Sequence, residues 1–180
     1  GPHVTEQPGR LETWLVPGCT KATRGESFTE DSGERVALAL ERSRAWIGRD
    51  AVVDAGRVVG ERGNWPVLQA ADHVLLTVRP SVRSVHAAQD VALKLRYELG
   101  DLEKVSALVI GSGPYPASEV AAALQIRLGG RLPDDRGVAA MLSDGASGSL
   151  ARAMQRSPLM KAAADLGKRL VSASHADTSS

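Results

Sequence analysis

Two largely apolar runs separated by an amphipathic segment constrain the fold of this chain more than any other feature of its sequence. His73–Val78 reads HVLLTV and Val105–Ile110 reads VSALVI. Between them, apolar residues recur at three- and four-residue steps from Val82 to Leu99, which is typical of a helix, and Gly100 then ends it. Apolar runs without alternation are typical of parallel strands covered on both faces. The pattern therefore predicts a βαβ unit.

Strands and helices alternate along the rest of the chain as well. Further strands are predicted at Leu11–Val16, Ala51–Asp54 and Leu128–Leu132, and further helices at about 36–47, 116–124 and 157–171. Such alternation predicts an α/β fold, a three-layer sandwich whose mainly parallel sheet has about five strands. In sheets of this kind, ligands bind in the crevice beyond the carboxyl ends of the strands.

Length and composition favour a single soluble domain. The 180 residues carry a net charge of +1, so no overall field attracts nucleic acid or an anionic membrane. Residues 1–3 read as a remnant of an expression tag, 4–172 as one domain with a long loop at 17–33, and 173–180 as a disordered polar tail. A single cysteine and the lack of any long apolar run predict a cytoplasmic protein without a membrane partner.

The segment AVVDAGR, residues 51–57, poses the question of function most directly. Asp54 and Gly56 are ordinary turn residues, so the carboxylate could simply mark the end of a strand. Alternatively, Asp54 stands at the carboxyl end of a buried parallel strand and faces a ligand. The corresponding loops after the other predicted strands are 79–81, 111–116 and 133–135.

Other catalytic patterns are weaker or absent from the sequence. The four histidines are scattered, and no GxSxG motif occurs, so a His/Cys metal site and a serine hydrolase are both disfavoured. A dinucleotide fingerprint is the remaining alternative, because Gly111 and Gly113 follow a strand and precede a helix. Pro116 stands where the third glycine belongs, and proline offers no N–H group to a pyrophosphate.

Four stretches, taken in order, resemble the later part of the ParA/MinD-type ATPases, the deviant-Walker branch of the P-loop NTPases. They are AVVDAGR at 51–57, AADHVLLTVRPSVRSV at 70–85, the strand at 105–110, and LPDD at 132–135 followed by SDG at 143–145. The resemblance covers residues 45–170, and its second stretch is the most specific. It implies a P-loop NTPase-like fold.

The resemblance also implies a nucleotide site with ATP and Mg²⁺ as cofactors. In that family, carboxylates at strand ends hold Mg²⁺ or position the attacking water. Asp54 would be the catalytic and metal-linked acid. The residues expected to surround the nucleotide are Gly56, Gly111, Ser112, Pro133 and Asp134.

This sequence departs from the family at the phosphate-binding loop. Neither GxxxxGK[ST] nor KGGxGK occurs in the 180 residues, so the chain alone is expected not to hydrolyse ATP. The chain is then either a fragment of a longer ATPase or a degenerate member. The implied function is intracellular positioning or chromosome or plasmid partition. A pseudo-ATPase that docks protein or DNA is the alternative, and a dinucleotide-dependent enzyme is less favoured.

The resemblance further implies partners for the chain. A homodimer or a complex with another protein is expected, and DNA binding is possible. The residues expected to contact DNA lie near the end of the chain and are Arg152, Arg156, Lys168 and Arg169.

Overall fold

A computed structural model describes residues 30–47, 50–57, 65–101, 103–144 and 154–177. The helices are α1 (Glu30–Ile47), α2 (Trp65–Ala70), α3 (Val82–Leu99), α4 (Ala117–Ala123), α5 (Arg136–Asp144) and α6 (Pro158–Asp177). The strands are β1 (Val74–Val78), β2 (Val105–Ile110) and β3 (Arg127–Leu132). The predicted strand at Leu11–Val16 and most of the predicted loop at 17–33 lie outside the described residues.

The three strands form a parallel sheet in the order β1-β2-β3. Val74 of β1 is paired with Val105 of β2, and Ile110 of β2 is paired with Leu132 of β3. The central strand β2 is the most deeply buried of the three, with four of its six residues buried. This explains why its sequence is a continuous apolar run rather than an alternating one.

Helices α3 and α4 cover one face of the sheet. Their small and branched residues form one core with the strands, whose buried members are Val78, Ala88, Ala92, Ala107, Val109, Val120, Ala121 and Leu124. The hydroxyl of Ser81 accepts a hydrogen bond from the Ser84 N–H and caps the start of α3. Gly100 ends α3 in the left-handed conformation, with φ of 67°.

Helix α6 covers the opposite face at β3. Leu108 alternates with the core residues Ala107 and Val109, so it points away from α3 and α4. Its partner Gly130 lies beneath α6, where an added Cβ would meet the Leu166 side chain at 3.2 Å. Helices on both faces of a parallel sheet make three layers, and the predicted α/β fold class is confirmed.

Several local predictions differ from the structure. Residues 51–54 form no strand: Val52 is fully exposed and Val53 is 44% exposed, so the strand predicted there is wrong. Two short helices, α2 and α5, were not predicted. Helix α6 continues to Asp177 and takes in most of the segment predicted as a polar tail. No helix in the described ranges is both long and apolar enough to cross a membrane.

Candidate functional site at the carboxyl edge of the sheet

Three loops meet where the parallel strands end. They are residues 79–81 after β1, 111–116 after β2 and 133–135 after β3. The Gly111 N–H donates to the Leu132 carbonyl at 2.8 Å and joins the second loop to the third strand. Gly113 lies so close to Pro80 that an added Cβ would be 2.2 Å from the Pro80 carbonyl oxygen. Backbone contacts therefore pack the three loops into one continuous edge.

An ion pair spans this edge from the first loop to the third. Arg79 Nη1 lies 3.0 Å from Asp134 Oδ2, and the two side chains are 60% and 30% exposed. Between them, Gly111 adopts a φ of 86°, which side chains rarely allow. A Cβ at Gly111 would lie 3.3 Å from the Asp134 Cβ and 3.8 Å from Arg79 Nη1. Because Gly111 has no side chain, Arg79 and Asp134 can form their ion pair beside it.

Two further arginines border the same edge. Arg131 Nη2 donates to the Ser112 hydroxyl at 3.4 Å. Arg136, the first residue of α5, places its Nε 3.9 Å from Asp134 Oδ2. Sequence reasoning missed both residues, because a single arginine in a strand or at a helix start carries no distinguishing pattern.

The two aspartates of the third loop have different tasks. Asp135 Oδ1 accepts a hydrogen bond from the Val138 N–H at 3.0 Å and caps α5. Asp134 instead turns toward the arginines. The structure thus brings together Gly111, Ser112, Pro133 and Asp134, four of the five residues that the sequence predicts around the nucleotide.

Asp54 and Gly56 lie elsewhere in the structure. Asp54 Oδ1 accepts a hydrogen bond from the Gly56 N–H at 3.0 Å, which closes an exposed local turn. The intervening Ala55 packs against the buried cluster that includes Val74 and Val105, the first residues of β1 and β2. These contacts place the turn near the beginning of the strands rather than at the edge where they end.

The donor set around Asp54 does not form a metal site by itself. Among the described residues, no group of three or more His, Cys, Asp or Glu side chains is arranged to hold a metal ion. A single exposed carboxylate that already accepts a backbone hydrogen bond supplies too few ligands. The role of Asp54 as a metal-linked acid therefore stays a prediction.

The basic residues predicted to contact DNA are spread over different environments. Arg152 lies outside the described residues, and Arg156 is exposed ahead of α6. Lys168 forms an exposed ion pair of 3.6 Å within its own helix. Arg169 Nη2 donates to the Gly129 carbonyl at 3.4 Å, so it also holds α6 against β3.

Two clefts lie beside the helices. One of about 740 Å³ separates α1 and α2 from α3, and there the Lys94 ammonium lies 5.0 Å from the centre of the Trp65 ring. The other, of about 430 Å³, runs between α3 and α4 and reaches the carboxyl edge at Tyr115. Both are open surface grooves.

The described part of the chain is a parallel sheet between helices, with its loops gathered at the carboxyl edge. This fold is similar to that of a solved MinD cell division protein. The MinD cell division protein of Aquifex aeolicus superposes with a TM-score of 0.61 and 16% identity, over 80% of this chain and 61% of that chain. The ParA family ATPase of Chlorobium tepidum TLS aligns with a TM-score of 0.45 and 20% identity, over 57% of this chain and 43% of that chain.

The similarity between this chain and the MinD structure is a similarity of fold. No protein-family model and no curated protein matches the sequence. The chain spans about three fifths of the length of the MinD structure.

Proposed function

We propose that this chain is a ParA/MinD-like domain that acts in intracellular positioning or in chromosome or plasmid partition in the cytoplasm. The observation that carries the proposal is the likeness of its fold to a MinD cell division protein over 80% of the chain. The convergence of the three loops at the carboxyl edge supports it, because this is where α/β sheets bind ligands.

At this edge, the proposed nucleotide site would use Gly111, Ser112, Pro133 and Asp134 around the base. The Ser112 hydroxyl and the loop backbone offer the hydrogen-bonding groups. Mg²⁺, if it accompanied the nucleotide, would supply positive charge beside its phosphates. Asp54 could assist only if segment 50–57 approached the ends of the strands, away from the position in which Ala55 packs.

We expect the chain alone to show no measurable ATP hydrolysis and only weak ATP binding. Phosphoryl transfer depends almost entirely on positioned charge, and no phosphate-binding motif occurs in the sequence. Phosphate release and calorimetry with Mg-ATP measure the two properties. Asp54→Asn, as control, should give the same background as the wild type. Micromolar affinity for Mg-ATP, or turnover that Asp54→Asn abolishes, would contradict the expectation.

The alternative proposal is a pseudo-ATPase that docks a protein or DNA. DNA contact would depend on Arg156 and Lys168, both exposed, because Arg169 is engaged with the Gly129 carbonyl. A dinucleotide enzyme is less favoured: Gly113 packs against Pro80 instead of leaving room for a pyrophosphate.

Self-association is expected under either proposal. Within the described residues β1 pairs with β2 on one side only, and a free strand edge offers backbone groups to another chain. Light scattering over a concentration series should show a dimer or a larger species at micromolar protein. A monomer throughout the series would argue against association through this edge.

A further inference from the structure

Three arginines from different elements converge around the loop at Gly111. Arg79 follows β1, Arg131 lies in β3 and Arg136 begins α5. Two of them approach a single carboxylate, since Asp134 Oδ2 is 3.0 Å from Arg79 Nη1 and 3.9 Å from Arg136 Nε. The third reaches the Ser112 hydroxyl, which directly follows the glycine.

We propose that Arg79, Arg131 and Arg136, here called the arginine cluster, bind a phosphate group carried by a small molecule. Guanidinium groups present paired N–H donors that match phosphate oxygens, and they keep their charge at all physiological pH values. The proposal goes beyond the function proposed above, because it requires neither a nucleobase nor Asp54.

The positive charges of the arginine cluster outnumber the negative charges of the carboxylates beside it. Asp134 is shared between two guanidinium groups, and it supplies one negative charge against three positive charges. The neighbouring Asp135 accepts a hydrogen bond from the Val138 N–H and keeps its own negative charge, so three positive charges still face only two negative charges at this edge. A phosphate group would supply the missing negative charge.

Access to the arginine cluster is open. Arg79 is 60% exposed and the Arg136 side chain is 88% exposed, so both can rotate toward a ligand without unpacking the core. Gly111 adds no side chain between Arg79 and Asp134. Asp134 occupies the position of a ligand anion beside Arg79, and an incoming phosphate must compete with it.

The test is calorimetric titration of the full chain with sodium pyrophosphate, AMP and adenosine at low salt. Pyrophosphate and AMP are expected to bind. Arg79→Ala and Arg136→Ala should each weaken pyrophosphate binding by about tenfold, because each removes a charge-assisted contact. Asp134→Asn should strengthen binding several-fold, because it removes the competing carboxylate.

Arg127→Ala is the matched control. Arg127 lies in β3 like Arg131, but at the opposite end of the strand, where it pairs with Glu103. The Arg127→Ala variant should bind pyrophosphate as tightly as the wild type does. Because Arg136 is so exposed, Arg136→Ala should fold normally even if Arg79→Ala does not, which a circular dichroism melt checks.

Three results would overturn the proposal. They are no pyrophosphate binding by the wild type, equal losses in Arg127→Ala and Arg136→Ala, and weaker binding by Asp134→Asn. Adenosine reports separately on the proposed base site. Binding of pyrophosphate without adenosine would support the arginine cluster while counting against the base site, and the reverse result would do the opposite.

Discussion

Leu95→Ala is expected to lower the free energy of unfolding by about 2–5 kcal/mol. Leu95 is 1% exposed and packs with Leu68, Val74 and Val105 between α3 and the beginning of the sheet. Truncation removes buried apolar surface and leaves a cavity that the strands cannot readily fill. Urea denaturation measures the change as a lower midpoint with an unchanged slope.

Leu93→Ala provides the control on the same helix. Leu93 is 64% exposed, so its truncation removes little buried surface. A change within about 0.5 kcal/mol is expected. If Leu93→Ala were as destabilising as Leu95→Ala, the assignment of the two faces of α3 would be wrong.

Gly113→Ala is expected to destabilise the carboxyl edge by about 1–3 kcal/mol or more. The new Cβ would lie 2.2 Å from the Pro80 carbonyl oxygen and 2.8 Å from the Pro80 ring, so the two loops would have to separate. Separation would also displace Arg79, the residue before Pro80, and weaken phosphate binding at the arginine cluster. Thermal denaturation and pyrophosphate titration of the same variant measure both effects.

Gly167→Ala is the control with the opposite sign. Gly167 lies inside α6, and an added Cβ would meet nothing within 4 Å. Alanine should therefore stabilise the helix by about 0.5–1 kcal/mol, because glycine loses more backbone entropy on folding. If Gly167→Ala were destabilising as Gly113→Ala is, the open space assigned to the position of the Gly167 Cβ would be wrong.

The sequence predicted the central βαβ unit because local and global requirements agree there. An apolar run such as Val105–Ile110 is stable only where both faces are covered, and β2 has those bounds in the structure. Ser81 and Gly100 mark the ends of α3 through caps that depend only on neighbouring residues. The fold class followed from this alternation.

The prediction for residues 51–54 was wrong for a physical reason. An apolar run indicates that a segment can form a strand, but a strand also needs a partner with free backbone groups. These residues pair with no strand among the residues that the structure describes, and Val52 is fully exposed. The prediction that Asp54 lies at the carboxyl end of a strand followed from that same error. The short helices α2 and α5 were missed because six to nine residues show too little periodicity.

By itself, the sequence determined the parallel α/β fold and three loops that lie at the carboxyl edge, 79–81, 111–116 and 133–135, since these follow from local periodicity. Only the tertiary structure decided which side chains meet there. Arg79 and Asp134 are 55 residues apart in the chain, and adjacent Asp135 has the same charge. Asp134 pairs with the arginines and Asp135 caps α5 because the strand register and the turn into α5 orient them differently, and a contact between distant residues has no local pattern.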